Sequence, residues 1–153
     1  MNWKYLVGKI LSEIDVFIIN SKLDFVNKHY PFGRNWIFDL KRTLSSEPML
    51  IVDVGANIGS VSKELNHFFP NANIFAFEPV SSTFNLLVKN TSKISKINSQ
   101  KLALGSTNEK FELSLNPENT INSLKVSNFK NSLGIEQIDV IRLDEFILQN
   151  ELG

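Results

Sequence analysis

The spacing of apolar positions along the chain changes several times, and each change marks an expected element. At the start, Trp3, Leu6, Val7, Ile10, Leu11, Ile14, Phe17 and Ile18 recur at helical spacing, which predicts an amphipathic helix. Aromatics then mix with turn formers, notably His29-Tyr30-Pro31-Phe32-Gly33, before a short helix expected over 36–44. Ser45-Ser46-Glu47-Pro48 reads as a joint. Residues 49–54 are apolar on both faces, as suits a strand buried on both sides. A helix over 58–69 follows, with Val61, Leu65 and Phe68 inward, and it stops at Pro70-Asn71-Ala72-Asn73. The next strand is 74–77. A helix over 82–90 then carries Phe84, Leu87 and Val88 on one face, with Ser81 or Ser82 as its cap. A third strand is expected near 99–104, ending in Gly105.

This alternation is the first half of a doubly wound sheet. Beyond it, 110–115 and 137–143 read as strands separated by an Asn- and Ser-rich connection, and Asp144 as the cap of a last helix. The expected fold class is therefore α/β: the N-terminal part of a Rossmann-like, doubly wound sheet preceded by helices. Two regions are expected, a helical segment 1–48 and a sheet-bearing domain 49–153.

Composition narrows the function. The 153 residues suit one domain, and 16 Lys plus Arg against 16 Asp plus Glu leave no global field to attract nucleic acid. The chain has no cysteine, hence no disulfide, thiolate nucleophile or Cys-bound zinc, and no metal site is expected. Lys4, Lys9, Glu13 and Asp15 interrupt the first apolar stretch, so neither a signal peptide nor a transmembrane segment is expected. That helix would pack on the domain, lie on a membrane surface or cover a substrate cleft. A cytoplasmic location is expected. Lys89, Lys93, Lys96 and Lys101 form a basic patch without acids, read as a solvated surface.

The chemistry concentrates in Ile51-Val52-Asp53-Val54-Gly55-Ala56-Asn57-Ile58-Gly59. An apolar strand ends in an acid, then a glycine-bearing turn, then a helix. Gly55 and Gly59 are expected where a ligand meets backbone or the turn needs a glycine φ. Backbone N–H groups of Ala56, Asn57 and the helix start would bond a carboxylate or another polar tail. Asp53 would take a ligand ammonium or fix the loop, and the Asn57 amide would bond ligand or backbone. Glu78 closes the next strand, is followed by Pro79, and is placed to take both hydroxyls of a ribose with its two oxygens. Ala103 and Leu104 would offer small apolar surface and backbone to an adenine ring. The chain has no Gly-x-Gly-x-x-Gly and no Gly-Lys-Ser/Thr, which disfavours NAD and a phosphate loop.

In order, Val52-Asp53-Val54-Gly55-Ala56-Asn57-Ile58-Gly59, Phe77-Glu78-Pro79, Leu102-Ala103-Leu104-Gly105 and Leu143-Asp144-Glu145-Phe146 resemble the FkbM family of S-adenosylmethionine-dependent methyltransferases. The resemblance spans roughly 49–147. It implies a class I methyltransferase fold, S-adenosyl-L-methionine as cofactor, and O-methylation of a sugar or other small-molecule hydroxyl. Asp53, Gly55, Asn57 and Gly59 would line the methionine end, Glu78 would hold the ribose, and Ala103 with Leu104 would flank adenine. The family continues past the Leu-Asp-Glu-Phe segment with a further strand that would lie beside 49–54. Its absence here implies a truncated or split enzyme whose first strand is a free edge, completed by a partner chain.

Methyl transfer requires the sulfonium methyl and the acceptor oxygen in line, with the proton removed during attack. His29 is one candidate base and His67 reads as a surface residue, so no catalytic residue is assigned. Two other readings stay open: a non-catalytic cofactor-binding remnant or half-enzyme, and a fragment of an NAD-dependent oxidoreductase.

Overall fold

The computed structural model describes residues 31–115 and 134–152, together with the strand pairing of 14–19 and 22–27. The chain falls into two compact units, Met1–Ser46 and Glu47–Gly153.

In the first unit, β1 (Ile14–Ile19) pairs antiparallel with β2 (Lys22–Asn27), with Ile14 opposite Asn27 and Ile19 opposite Lys22. This corrects the expectation of a helix running through Ile18 and of a wholly helical segment ahead of the sheet. The physical reason lies in Ile14-Asp15-Val16-Phe17-Ile18-Ile19, which is dense in β-branched residues. An apolar run of that kind satisfies helical and strand spacing alike, and stiff χ1 rotamers decide for the strand. Trp3, Leu6, Val7, Ile10 and Leu11 lie outside the described residues, as does His29. Helix α1 (Trp36–Thr43) forms where expected. Asn35 caps it, its side-chain oxygen accepting from the Phe38 N–H at 3.1 Å, and Ile37 and Phe38 are buried.

The second unit opens with two successive strand–helix–strand crossovers. They run β3 (Leu50–Val54), α2 (Ser60–Phe68), β4 (Asn73–Phe77), α3 (Ser81–Thr91), β5 (Ile97–Gln100). The three strands are parallel in the order β3-β4-β5, the arrangement expected of half a Rossmann-like sheet. The expected third strand is split. After β5 the chain passes Lys101 and Leu102 and enters β6 (Ala103–Leu104), which belongs to a different sheet. There β6 runs parallel to β8 (Gly134–Ile141), and β7 (Glu109–Leu115) runs antiparallel to it, in the order β6-β8-β7. Helix α4 (Leu143–Gln149) closes the described chain.

Two apolar clusters can be traced among the described residues of this unit. Phe75 and Phe77 of β4 meet Phe146 of α4 edge-to-face, at ring separations of 5.4 and 4.8 Å, with Leu50, Val52, Leu104 and Ile141 around them. Ile74 and Ala76, fully buried, point by strand alternation to the other face of β4. The second cluster gathers Val80, Leu113, Ile138 and Val140, with Ala103 and Phe111 against it. β3 has no second strand neighbour among the described residues, and Val54 at its end is 61% exposed.

The helices rotate differently from the expected faces. Leu65, Phe68 and Leu87 are buried as expected, but Val61 and Val88 are exposed, and Ser62, Thr83 and Thr91 are buried instead. Buried hydroxyls need partners. Those of Ser62 and Thr83 find the two acids of the site.

Candidate functional site

The register of the parallel sheet builds the site. Val54 pairs with Phe77, so β3 and β4 end level, and the glycine loop leaves one beside the Glu78 leaving the other. Asp53, the penultimate residue of β3, is half-buried. Its Oδ2 accepts from the Ser62 hydroxyl at 2.6 Å, and Oδ1 has no partner among the described residues. Gly55 turns the chain with φ +75°, and a Cβ built there would meet nothing within 4 Å. The backbone of Asn57 is also left-handed, with φ 50°, a region that asparagine enters more readily than most side chains.

Gly59 meets the backbone half of its expected role. Its φ is +84°, but a Cβ there would sit 2.7 Å from Leu87 Cδ1 and 3.0 Å from Thr91 Cγ2. This glycine lets the start of α2 press against α3.

The loop amides also differ from expectation. The N–H groups of Gly55 and Ala56 both donate to the Phe77 carbonyl at 2.9 Å, and that of Gly59 donates to the Ala56 carbonyl at 2.8 Å. The Asn57 N–H donates to Glu78 Oε2 at 2.9 Å. These donors are spent on folding the loop onto the end of β4.

Glu78 is 7% exposed. Its Oε1 accepts from the Val80 N–H at 3.0 Å and the Thr83 hydroxyl at 2.8 Å, which fills both acceptor positions of that oxygen. Among the described residues Oε2 accepts only from Asn57, which leaves one position. The expectation that both oxygens take ribose hydroxyls is therefore corrected: one oxygen has room for one hydroxyl. Pro79, half-buried, carries the chain from Glu78 to Val80, the N-cap of α3.

Neither Ser81 nor Ser82 caps α3 with its side chain. Carboxylates serve that helix end instead, Glu78 at Val80 and Glu136 of β8 at the Ser81 N–H (2.9 Å) and hydroxyl. Negative charge is favoured there by the aligned peptide dipoles. Glu136 and Thr83 were not singled out in the sequence. Thr83 is signalled by its place in the first turn of the helix that follows Glu78; Glu136 comes from a distant strand and has no local signal.

Ala103 and Leu104 are half-buried, and their contacts are with the two apolar clusters. The Glu78 N–H to Gln100 carbonyl bond (3.0 Å) ties the preceding strand to Glu78. Asp144 is not the cap of α4: that position is Arg142, and Asp144 lies in the first turn. There its Oδ1 accepts from the Glu145 N–H and from Arg142 Nε, both at 3.0 Å. The Arg142 hydrogen bond holds the Asp144 carboxyl below the usual carboxylate range and raises the guanidinium in return. His67 is exposed and stands edge-on to Phe68. Among the described residues, no three His, Asp or Glu gather to hold a metal, and no helix is long and apolar enough to cross a membrane.

No family model matches the chain, and neither does any curated protein. Solved structures do resemble it. One is the methyltransferase FkbM from Methylobacillus flagellatus KT, 18% identical with a TM-score of 0.42, over 68% of this chain and 24% of that one. Another is TYW2 from P. horikoshii in complex with MeSAdo, 16% identical with a TM-score of 0.37, over 67% and 52% of the two chains. The chain thus spans between a quarter and about half of the proteins it resembles. The α/β fold class rests on the parallel strand order itself.

Proposed function

We propose that this chain carries the donor-binding part of an S-adenosyl-L-methionine-dependent methyltransferase acting on a small-molecule hydroxyl, such as that of a saccharide. The observation that carries the proposal is the convergence of two acids on one glycine loop at the level ends of adjacent parallel strands. Open sheets of this kind receive ligands outside the carboxyl ends of their strands.

The residues fit the donor. Asp53 Oδ1 offers an unused acceptor for the ammonium group, with Ser62 holding the other oxygen and so fixing the carboxylate plane. Gly55 leaves open space beside it for the methionine portion. The remaining acceptor position of Glu78 Oε2 would take one ribose hydroxyl, while Thr83 and Val80 keep the carboxylate from turning away. Ala103 and Leu104 would border the adenine through backbone and edge. When bound, the donor supplies an electrophilic methyl group on a sulfonium. The chain's own part is to bind and orient, because in-line placement is most of what methyl transfer needs. Among the described residues β3 has no second strand neighbour, and Val54 is exposed beside the loop, which supports a further strand pairing there.

Calorimetry with S-adenosylmethionine tests this, alongside a transfer assay on hydroxylated sugars. Saturable binding that is lost in Asp53→Ala is the expected result. Binding without turnover would identify a donor-binding module that needs another chain. A variant that binds as well as the parent, or preference for NADH, would overturn the reading.

A further inference from the structure

The edge of the parallel sheet opposite β3 carries a second surface. β5 pairs only with β4 among the described residues. The carbonyls of Lys96 and Gln100 accept from Ile74 and Glu78 at 2.8 and 3.0 Å, so residues 96 and 100 turn their backbone toward β4. By the alternation of a parallel ladder, Ser99 directs its N–H and C=O outward. A groove of about 400 Å³ follows this edge, lined by Val88, Thr91 and Ser92 on one side and by Asn98, Ser99 and Gln100 on the other. Successive strand residues point to opposite faces, so a groove touching three in a row is entered from the edge.

Charge selects the occupant. Lys89, Lys93, Lys96 and Lys101 are each the chain neighbour of a lining residue, and no Asp or Glu occurs between Glu78 and Glu109. Lys96 reaches the Asn73 side chain at 3.4 Å and Lys101 approaches Glu136 at 3.8 Å. Lys89 and Lys93 have no carboxylate partner among the described residues. Lysines beside an edge strand repel a second copy of the same edge, and the same charges admit an acidic strand. No aromatic side chain lines the groove, so it lacks the stacking platform of single-stranded nucleic acid sites.

We infer that this edge binds an extended acidic peptide segment, which pairs with β5 through Ser99 while its carboxylates meet the lysines. The inference is independent of the donor site. Fluorescence polarisation with a labelled Glu-Val-Glu-Val-Asp-Val-Glu peptide tests it on the full chain. Saturable binding is expected, weakened by added salt and about tenfold by the double substitution Lys89→Glu, Lys93→Glu. Both lysines are exposed and lie outside the strands, so circular dichroism should be unchanged. Bound peptide should also slow hydrogen exchange at the Ser99 amide. Absence of saturation, equal binding by the double variant, an unprotected Ser99 amide, or tighter binding of oligothymidylate would each overturn it.

Discussion

Gly55 and Gly59 stand in one loop with nearly the same backbone, φ +75° and +84°, yet they face different surroundings. Around Gly55 there is open space, and its neighbour Asp53 keeps one oxygen unused. Around Gly59 there is the packed side of α3; Glu78, just past the end of β4, has three acceptor positions filled and one left. The loop thus has one glycine in open space and one packed against the fold. A glycine in a ligand loop is not by itself a ligand contact.

The largest effect that would break this division is expected from Glu78→Ala. It leaves the Asn57 and Val80 N–H groups and the Thr83 hydroxyl without their acceptor in a buried setting, at a cost of about 4 kcal/mol. Urea unfolding measures it; a loss near zero would mean that these three bonds do not hold the loop. Gly59→Ala should follow at about 3 kcal/mol, from the left-handed φ and from crowding against fully buried Leu87. Gly55→Ala, with the same φ but free space, should cost only about 1 kcal/mol while reducing donor affinity by more than its stability loss explains. If the two glycine substitutions proved equally destabilising, the comparison would fail.

The smallest effect concerns Asp144, an exposed carboxylate paired with Arg142. Its folded-state pKa is depressed, first by the Arg142 hydrogen bond, so its contribution is present at neutral pH and is lost as the pH falls through that lowered value. Arg142→Ala should return its titration, followed by NMR, toward the ordinary carboxylate range, with little change in stability because exposed pairs contribute little. A large loss would place this pair among the groups that hold the fold.

Much of the site was legible in the sequence, because strand, acid, turn and helix are local signals. Met49–Val54 and Ile74–Phe77 are bounded by turn residues, and the acids that close them carried the functional reading. What escaped was tertiary. Packing of Gly59 on Leu87 and capping of α3 by Glu136 depend on residues far apart in the chain. The inward turn of Ser62 and Thr83 ran against hydropathy, since each is buried to serve a carboxylate. The hairpin of β1 and β2 is ambiguous in the sequence for a local reason: a dense β-branched run fits either period.

The Phe77 carbonyl accepts from both Gly55 and Ala56, and the next amide, Asn57, goes to Glu78. None of these three bonds closes within the loop alone. A nascent polypeptide that has emerged only as far as the first strand and helix therefore has only the Gly59–Ala56 and Ser62–Asp53 bonds to shape the bend. The bend takes its final form when the second strand docks, so these amides should gain protection from exchange together with β4, as one late cooperative step of folding.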